Sequence, residues 1–289
     1  VKDILEVIDN EEVLNLELLK LGEYISSKTL CSMITAYQTM LPKALKANHK
    51  VAMKPKNEVI AVLNKDTSEI YEYISICSYK KQVEILKSII ENGSVKVISS
   101  NISSVTSLAN KGLIKTISRE VYRYNDNTIE NKHTVFLNEE QSKVVKEVID
   151  NLNTNNTYLL KGVTGSGKTE VYMHIIKEVI DRGMQAIMLV PEISLTPQIV
   201  SRFRQRFNDE VAVLHSGLSD GERYDEYRKI KKGLVKIVVG ARSAIFSPFQ
   251  NLGVIIIDEE QVTSYKQENN PRYHTRDVAL FRCKYHNCP

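Results

Sequence analysis

The sequence has no apolar run approaching the ~18 residues that a membrane-spanning helix needs, so a helical membrane protein is excluded. It has no internal repeat and no low-complexity tract. Cysteine is scarce, and Cys31, Cys77, Cys283 and Cys288 are scattered. That suits reduced thiols in a cytoplasmic protein better than a disulfide framework. The N-terminus, Val1-Lys2-Asp3-Ile4, has the pattern of neither a signal peptide nor a transit peptide. It also lacks an initiator Met, so a fragment or a processed product is expected. Net charge is small: 39 Lys and Arg against 35 Asp and Glu give +4.

What is present is enough for a folded protein. The 289 residues suggest about two domains and can bury a core without disulfides or metals. Hydrophobic residues at 42% and charged residues at 26% give a soluble globular balance, which excludes mostly disordered and collagen-like chains. Charge is unevenly spread. Residues 1–28 carry three basic and seven acidic side chains. Lys43, Lys46, Lys50, Lys54 and Lys56 then follow with no acid between them, and Lys96, Lys111, Lys115 and Arg119 stand between Glu91 and Glu120. Such runs can neutralise phosphates, although a solvated basic surface would look the same.

Three regions separate by pattern. Residues 1–48 read as helices ending near Leu41-Pro42, the tail of a domain. Residues 51–134 read as a small α/β unit. One helix carries an apolar stripe of Val83, Leu86 and Ile90. Asn92-Gly93 turns the chain into a strand, Val95 to Ile98. A polar helix from about Asn101 to Lys111 should turn Ile102, Val105, Leu108 and Ala109 inward and end at Gly112. Leu113–Ile117 and Glu120–Tyr124 are expected to form a two-stranded wing, the winged variant of helix-turn-helix. Lys111, Lys115 and Arg119 would then face DNA, unless the unit only spaces other domains. Residues 125–133 read as a linker.

Residues 135–289 alternate strands, near 157–160, 185–190, 211–214, 235–239 and 253–257, with helices near 139–152, 168–182, 196–207, 219–232 and 274–285. This alternation implies an α/β fold with a parallel sheet covered on both faces. Ser219 with Glu222 makes a capping box, and Gly233 closes that helix. Cys283, His286 and Cys288 are either half of a zinc site or a helix end with incidental thiols; no second ligand pair follows.

Gly162-Val163-Thr164-Gly165-Ser166-Gly167-Lys168-Thr169 fits the P-loop pattern G-x-x-x-x-G-K-[ST]. It follows the expected strand Tyr158-Leu159-Leu160 and opens a helix. Gly165 and Gly167 let backbone N–H groups wrap phosphate oxygens, and the helix N-terminus adds positive potential. Lys168 would reach the β- and γ-phosphates of ATP, and Thr169 would offer its hydroxyl to Mg²⁺. The apolar run Val254–Ile257 ends in Asp258-Glu259, where ligands bind in open α/β sheets. Asp258 would hold Mg²⁺ through water, and Glu259 would orient or deprotonate the attacking water. Gln141, on a helix starting at Asn138, could read the adenine edge or serve a capping box with Asn138.

The run Gly162 to Tyr172 (GVTGSGKTEVY) closely resembles the primosomal protein N′ family, the bacterial replication-restart helicases of superfamily 2. Val190–Gln198, His215-Ser216, Val239–Phe249, Ser264–Gln267 and Arg272–Asp277 resemble further segments of that family. The likeness extends more weakly over residues 1–134, which resemble the end of a 3′-DNA-end-binding domain and a winged helix. The resemblance implies a P-loop NTPase (RecA-like) helicase lobe over 135–289, cut before the third motif, and ATP-driven 3′-to-5′ unwinding at stalled or abandoned forks. It implies forked and single-stranded DNA, single-stranded DNA-binding protein and primosome proteins as partners, and no membrane. It also implies Zn²⁺ held by cysteines beyond this chain. Lys168, Thr169, Asp258 and Glu259 would form the ATPase core, Arg242 and Ser243 would lie by DNA, and Tyr265, Lys266, Arg272 and Tyr273 would couple DNA binding to ATP turnover. The two tyrosines could stack on bases, and Lys266 and Arg272 could contact phosphates.

Two departures stand out. Gln261 occupies the position of the family's usual His, and Gln cannot carry a proton near neutral pH. The chain also stops at Pro289, before the family's second lobe and its transition-state arginine, so the expectation is nucleotide binding with poor turnover. Another superfamily 2 repair translocase and a non-catalytic, ATP-gated DNA-binding module are the alternative readings.

Overall fold

The chain divides into two units, one of Lys54–Arg123 and one joining Val1–Met53 to Tyr124–Pro289. The computed structural model describes residues 12–46, 55–123, 135–163 and 165–289. Lys50, Lys54, Thr164 and the expected linker over 125–133 lie outside the described residues.

The second of these units begins with a helical pair. Asn15 caps α1 (Leu16–Thr29) by accepting the Leu18 N–H at 2.9 Å, and Ser32 caps α2 (Met33–Met40) through Thr35. The pair crosses at Gly22. A Cβ there would lie 2.2 Å from the Tyr37 ring, so a side chain at this position would force the helices apart. Both helices end before Pro42, as the sequence suggested.

The Lys54–Arg123 unit runs β1 (Lys56–Leu63), α3 (Thr67–Ile76), α4 (Lys80–Asn92), β2 (Val95–Lys96), α5 (Ile102–Asn110), β3 (Ile114–Val121). Its antiparallel sheet has the order β2-β1-β3. Leu86, Ile89, Val105, Leu108 and Ile114 form its core with Ala61 and Ile70. Gly112, with φ at 71°, follows α5 as expected. Two expectations need correction. The wing is not a local hairpin: β3 runs unbroken through Ser118-Arg119 and pairs along its length with β1, from Lys56 opposite Val121 to Leu63 opposite Ile114. No Gly, Pro, Asn or Asp stands between Ile117 and Glu120 to turn the chain, and a partner strand waits ahead of the first helix. Ile102 is 55% exposed and does not face inward, because the buried stripe of α5 is carried by Val105 and Leu108.

The rest of the larger unit runs α6 (Glu139–Asp150), α7 (Lys168–Asp181), β4 (Gln185–Leu189), α8 (Pro197–Phe207), β5 (Val211–Leu214), α9 (Asp220–Lys231), β6 (Ile237–Gly240), β7 (Leu252–Ile257), α10 (Thr275–His286). The four strands are parallel in the order β5-β6-β4-β7. Helices begin and end where the capping residues predict; both capping boxes, Asn138 with Gln141 and Ser219 with Glu222, are formed. Side chains alternate between two cores. Ala186, Met188, Ile237 and Val239 pack with α6, α7 and α8, while Ile187, Leu189 and Val238 pack with α9, α10, α1 and α2.

The expected strand at 157–160 is not formed. Strands need a hydrogen-bonded neighbour, and Tyr158–Leu160 find none among the described residues. Leu159 is 87% exposed. The far edge of β7 is met by the Pro289 carbonyl, which accepts the Ile255 N–H at 3.0 Å.

The N-terminal helices are part of this body. Leu18, Leu21 and Ile25 share a core with Ile187, Leu189 and Val278, each such side chain stabilising by roughly 1.5–3 kcal/mol. At the centre of that contact Arg282 is fully buried. It donates to the Glu17 carboxylate at 2.5 and 2.8 Å and to the Ile245 carbonyl at 2.6 Å. Burial by itself would raise the pKa of Glu17, but Arg282 and His286 outweigh it and hold the carboxyl below its ordinary 4.5. The ion pair therefore stabilises fully above about pH 4.5 and is lost as pH falls through the lower folded-state value. Glu17→Ala should lose about 3–5 kcal/mol in urea unfolding, because it strands a buried guanidinium, whereas replacing both partners by Met should lose much less.

Candidate nucleotide and nucleic-acid sites

The P-loop joins α6 to α7. Gly165 and Gly167 both adopt φ of 81°, a region that side chains disfavour, so the loop wraps ahead of the first turn of α7. Gly167 is the N-cap of α7 and supplies no side chain there, which leaves the helix N-terminus open to an anion. Lys168 Nζ donates to the carbonyls of Gly162 at 2.8 Å and Val163 at 3.2 Å, folded back over the loop. A Cβ at Gly162 would meet Ser166 Oγ at 2.6 Å, so a side chain there would displace that hydroxyl. These features fit the phosphates of ATP; Thr169 follows Lys168 in the first turn of α7.

Gln141 does two things at once. Its Oε1 accepts the Asn138 N–H at 3.0 Å, completing the capping box, and its Nε2 donates to the Ser166 carbonyl at 3.0 Å. The side chain thus braces the P-loop from α6.

The acids sit at the C-terminal end of β7, as the apolar run predicted. The Asp258 N–H donates to the Leu189 carbonyl at 2.8 Å, prolonging the β4–β7 ladder by one residue. Burial raises the pKa of Asp258; the Tyr172 hydroxyl donating to its Oδ1 at 3.2 Å opposes that, and Glu259 reinforces it. Glu259 is bent into the left-handed region, φ 48°, costing roughly 1–2 kcal/mol. Gln261 Nε2 donates to Glu259 Oε2 at 2.6 Å. Glu260 pairs with Arg276 at 2.6 Å.

The loop after the acids is tied to them. Tyr265 donates its hydroxyl to the Asp258 carbonyl at 2.8 Å, and Thr275 donates to the Tyr265 carbonyl at 3.0 Å. Arg242 clamps the loop, donating to the carbonyls of Ser264 at 3.2 Å and Lys266 at 2.8 Å. Lys266 Nζ donates to the Arg272 carbonyl at 2.6 Å. Tyr265 is 1% and Tyr273 5% exposed, and Tyr273 packs edge-on against Phe246 with ring centroids 5.2 Å apart. Burial pushes the Tyr273 phenol up to about 12 although Arg242 pulls the other way. Base stacking by these two rings does not fit this burial and is corrected: they are internal posts of the loop. Ser243, Lys266 and Arg272 are exposed beside them.

In the smaller unit, Lys115 is exposed on β3, across from Val62. Lys111 is not simply presented to solvent. Its ammonium donates to the Tyr73 hydroxyl at 2.6 Å, which raises its pKa, and lies 5.0 Å from that ring's centroid. Of the C-terminal thiols, Cys283 and Cys288 are buried at the end of α10, and the Cys288 N–H donates to the Cys283 carbonyl at 3.0 Å. Among the described residues no group of three or more His, Cys, Asp and Glu stands where it could hold a metal ion. No described helix is long and apolar enough to cross a membrane.

A family model described as DEAD/DEAH box helicase matches residues 138–283, half the chain, including the P-loop, the acid pair and the loop after it. One described as 3'DNA-binding domain (3'BD) matches residues 1–42. The chain belongs to the DEAD/DEAH box helicases and, within them, to the family of replication restart protein PriA, the restart helicases that its motifs resemble. Replication restart protein PriA of Bacillus subtilis is 38% identical over all of this chain and 45% of its own length. That of Synechocystis is 45% identical over 68% of this chain and 24% of its own, and that of Chlamydia pneumoniae 35% identical over 97% and 39%. The chain thus spans less than half the length of these relatives.

Tyr172 and the Gln261–Glu259 contact were not foreseen as site features. Tyr172 was visible only as the last residue of the run that extends the P-loop. Its spacing, four residues after Lys168, puts both on one face of α7. Replacing Lys168 by Ala should weaken binding of a fluorescent ATP analogue by at least about a hundredfold, the loss expected when a charged donor to the phosphates is removed. Unchanged affinity would remove this loop from the nucleotide site.

Proposed function

We propose that this chain is the nucleotide- and DNA-binding part of an ATP-hydrolysing 3′-to-5′ DNA helicase that acts at stalled or abandoned replication forks. One observation carries the reading. Asp258, at the end of β7, is bonded on one side to Tyr172 of the P-loop helix and on the other to Tyr265 of the exposed basic loop. A nucleotide site and a candidate DNA contact therefore share one residue, which is what coupling requires.

In this reading Gly162, Thr164, Gly165, Ser166 and Gly167 shape the phosphate cradle, and Lys168 neutralises phosphate charge. Thr169 and Asp258 would hold Mg²⁺. When bound, MgATP supplies the phosphoanhydride whose cleavage drives movement. Glu259 takes the proton of the attacking water, with Gln261 holding its carboxylate in place. Gln141 reads the adenine while bracing Ser166. Ser243, Lys266 and Arg272 contact a DNA strand, and Arg242 keeps their loop in register. Tyr265 and Tyr273 transmit a shift of that loop to Asp258 and Glu259 from inside, without touching bases. Lys115, with Lys111 held against Tyr73, contacts duplex phosphates from the smaller unit. Forked DNA, single-stranded DNA-binding protein and primosome proteins are the partners this role requires.

Fork binding by the chain should weaken roughly a hundredfold between about 50 and 200 mM salt if about four phosphates are neutralised. Filter-binding or anisotropy titrations measure the slope; a flat profile contradicts phosphate contacts. Tyr265→Phe should leave ATP affinity unchanged but reduce the effect of single-stranded DNA on it by about threefold or more, since about one neutral hydrogen bond carries the link.

A further inference from the structure

Asp258 is held at three points. Its N–H is bonded to Leu189 of β4, its carbonyl accepts from Tyr265, and its carboxylate accepts from Tyr172. The first two fix the backbone. The side chain itself is reached by the Tyr172 hydroxyl, from another element, and by the neighbouring Glu259 backbone N–H. Tyr172 is 8% exposed and lies one turn beyond Lys168 and Thr169 on α7. A rigid phenol on that turn reaches from the helix that carries the phosphate-binding loop to the strand that carries the acid. Its length matters: Phe fills the same space but cannot donate a hydrogen bond.

We propose that Tyr172 is a positioning residue for the divalent cation, holding the Asp258 carboxylate in the rotamer from which it serves Mg²⁺ and tying that carboxylate to the P-loop helix. This rests on the reading of Asp258 as the Mg²⁺ carboxylate. The Tyr172 hydroxyl stands 3.2 Å from Asp258 Oδ1, a long hydrogen bond that a bound cation drawing on the same carboxylate could tighten. The contact leaves phosphate binding by the loop itself untouched, because Lys168 and the glycine backbone make it without Tyr172.

The test uses the 289-residue chain and a fluorescent ATP analogue titrated at a series of Mg²⁺ concentrations and in excess chelator. Tyr172→Phe is expected to bind the analogue as wild type in chelator, within about twofold, while the Mg²⁺ concentration giving half the metal-dependent gain rises about tenfold. Asp258→Asn is the reference: it should lose the Mg²⁺-dependent gain. If Asp258→Asn keeps that gain in full, the metal reading of Asp258 fails and the proposal with it. If Asp258→Asn loses it and Tyr172→Phe matches wild type at every Mg²⁺ concentration, the proposal alone is overturned. Equal weakening of Tyr172→Phe with and without Mg²⁺, or a lowered melting temperature with no change in Mg²⁺ dependence, makes Tyr172 merely a packing residue and also overturns it. Tyr172→Met, which fills the space without a ring, should reproduce the Mg²⁺ shift of Phe.

Discussion

The hydrogen bond from the Asp258 N–H to the Leu189 carbonyl fixes where β7 stops being strand. Up to that point the chain is held in the parallel ladder, Ile255 opposite Ile187 and Ile257 opposite Leu189. One residue later Glu259 turns into the left-handed region. The acids are therefore presented by the rigid end of a buried strand, and their separation from α7 is set by the sheet rather than by loop packing. Tyr172 from the helix and Tyr265 from the following loop then close on the same residue. The proposed metal and coupling roles of the larger unit depend on that one stop in the ladder.

The second constraint is the buried pair of Glu17 and Arg282. Two charges taken out of water stabilise little beyond what apolar residues would, but losing one is costly, so the pair enforces a partner. Arg282 also holds the Ile245 carbonyl, and Ile245 belongs to the same short turn as Arg242, the clamp on the basic loop. The N-terminal helices are thereby wired into the core that supports the loop. The helices α1 and α2, within the segment that matches a 3'DNA-binding domain model by sequence, are physically one layer of the body that carries the P-loop.

The sequence made some features legible because they rest on local rules. Both capping boxes, the order of helices and strands from α7 to α10, and the loop of glycines before Lys168 follow from short-range spacing. The failures share one cause. The strand expected at 157–160 is apolar enough to be one, but a strand exists only with a partner, and none of the described residues supplies it. The hairpin expected at 113–124 was displaced by β1, nearly sixty residues earlier, whose pairing no local pattern announces. Tyr265 and Tyr273 looked like stacking platforms because an aromatic beside a cation reads the same whether it is exposed or buried.

By itself the sequence determined the chemistry available: a P-loop, an acid pair at a strand end, a basic aromatic loop, and the family these belong to. Those depend on residue type at fixed short spacing, which the chain carries wherever it folds. Only the tertiary structure decided which groups meet. That Tyr172 grips Asp258, that Gln261 reaches Glu259, that Arg242 spends its guanidinium on backbone carbonyls and that Lys111 rests on Tyr73 are contacts created when separate elements pack. The deciding quantity was burial, which turns a tyrosine from a ligand for bases into a post inside the protein and a carboxylate from a surface charge into one that must be held.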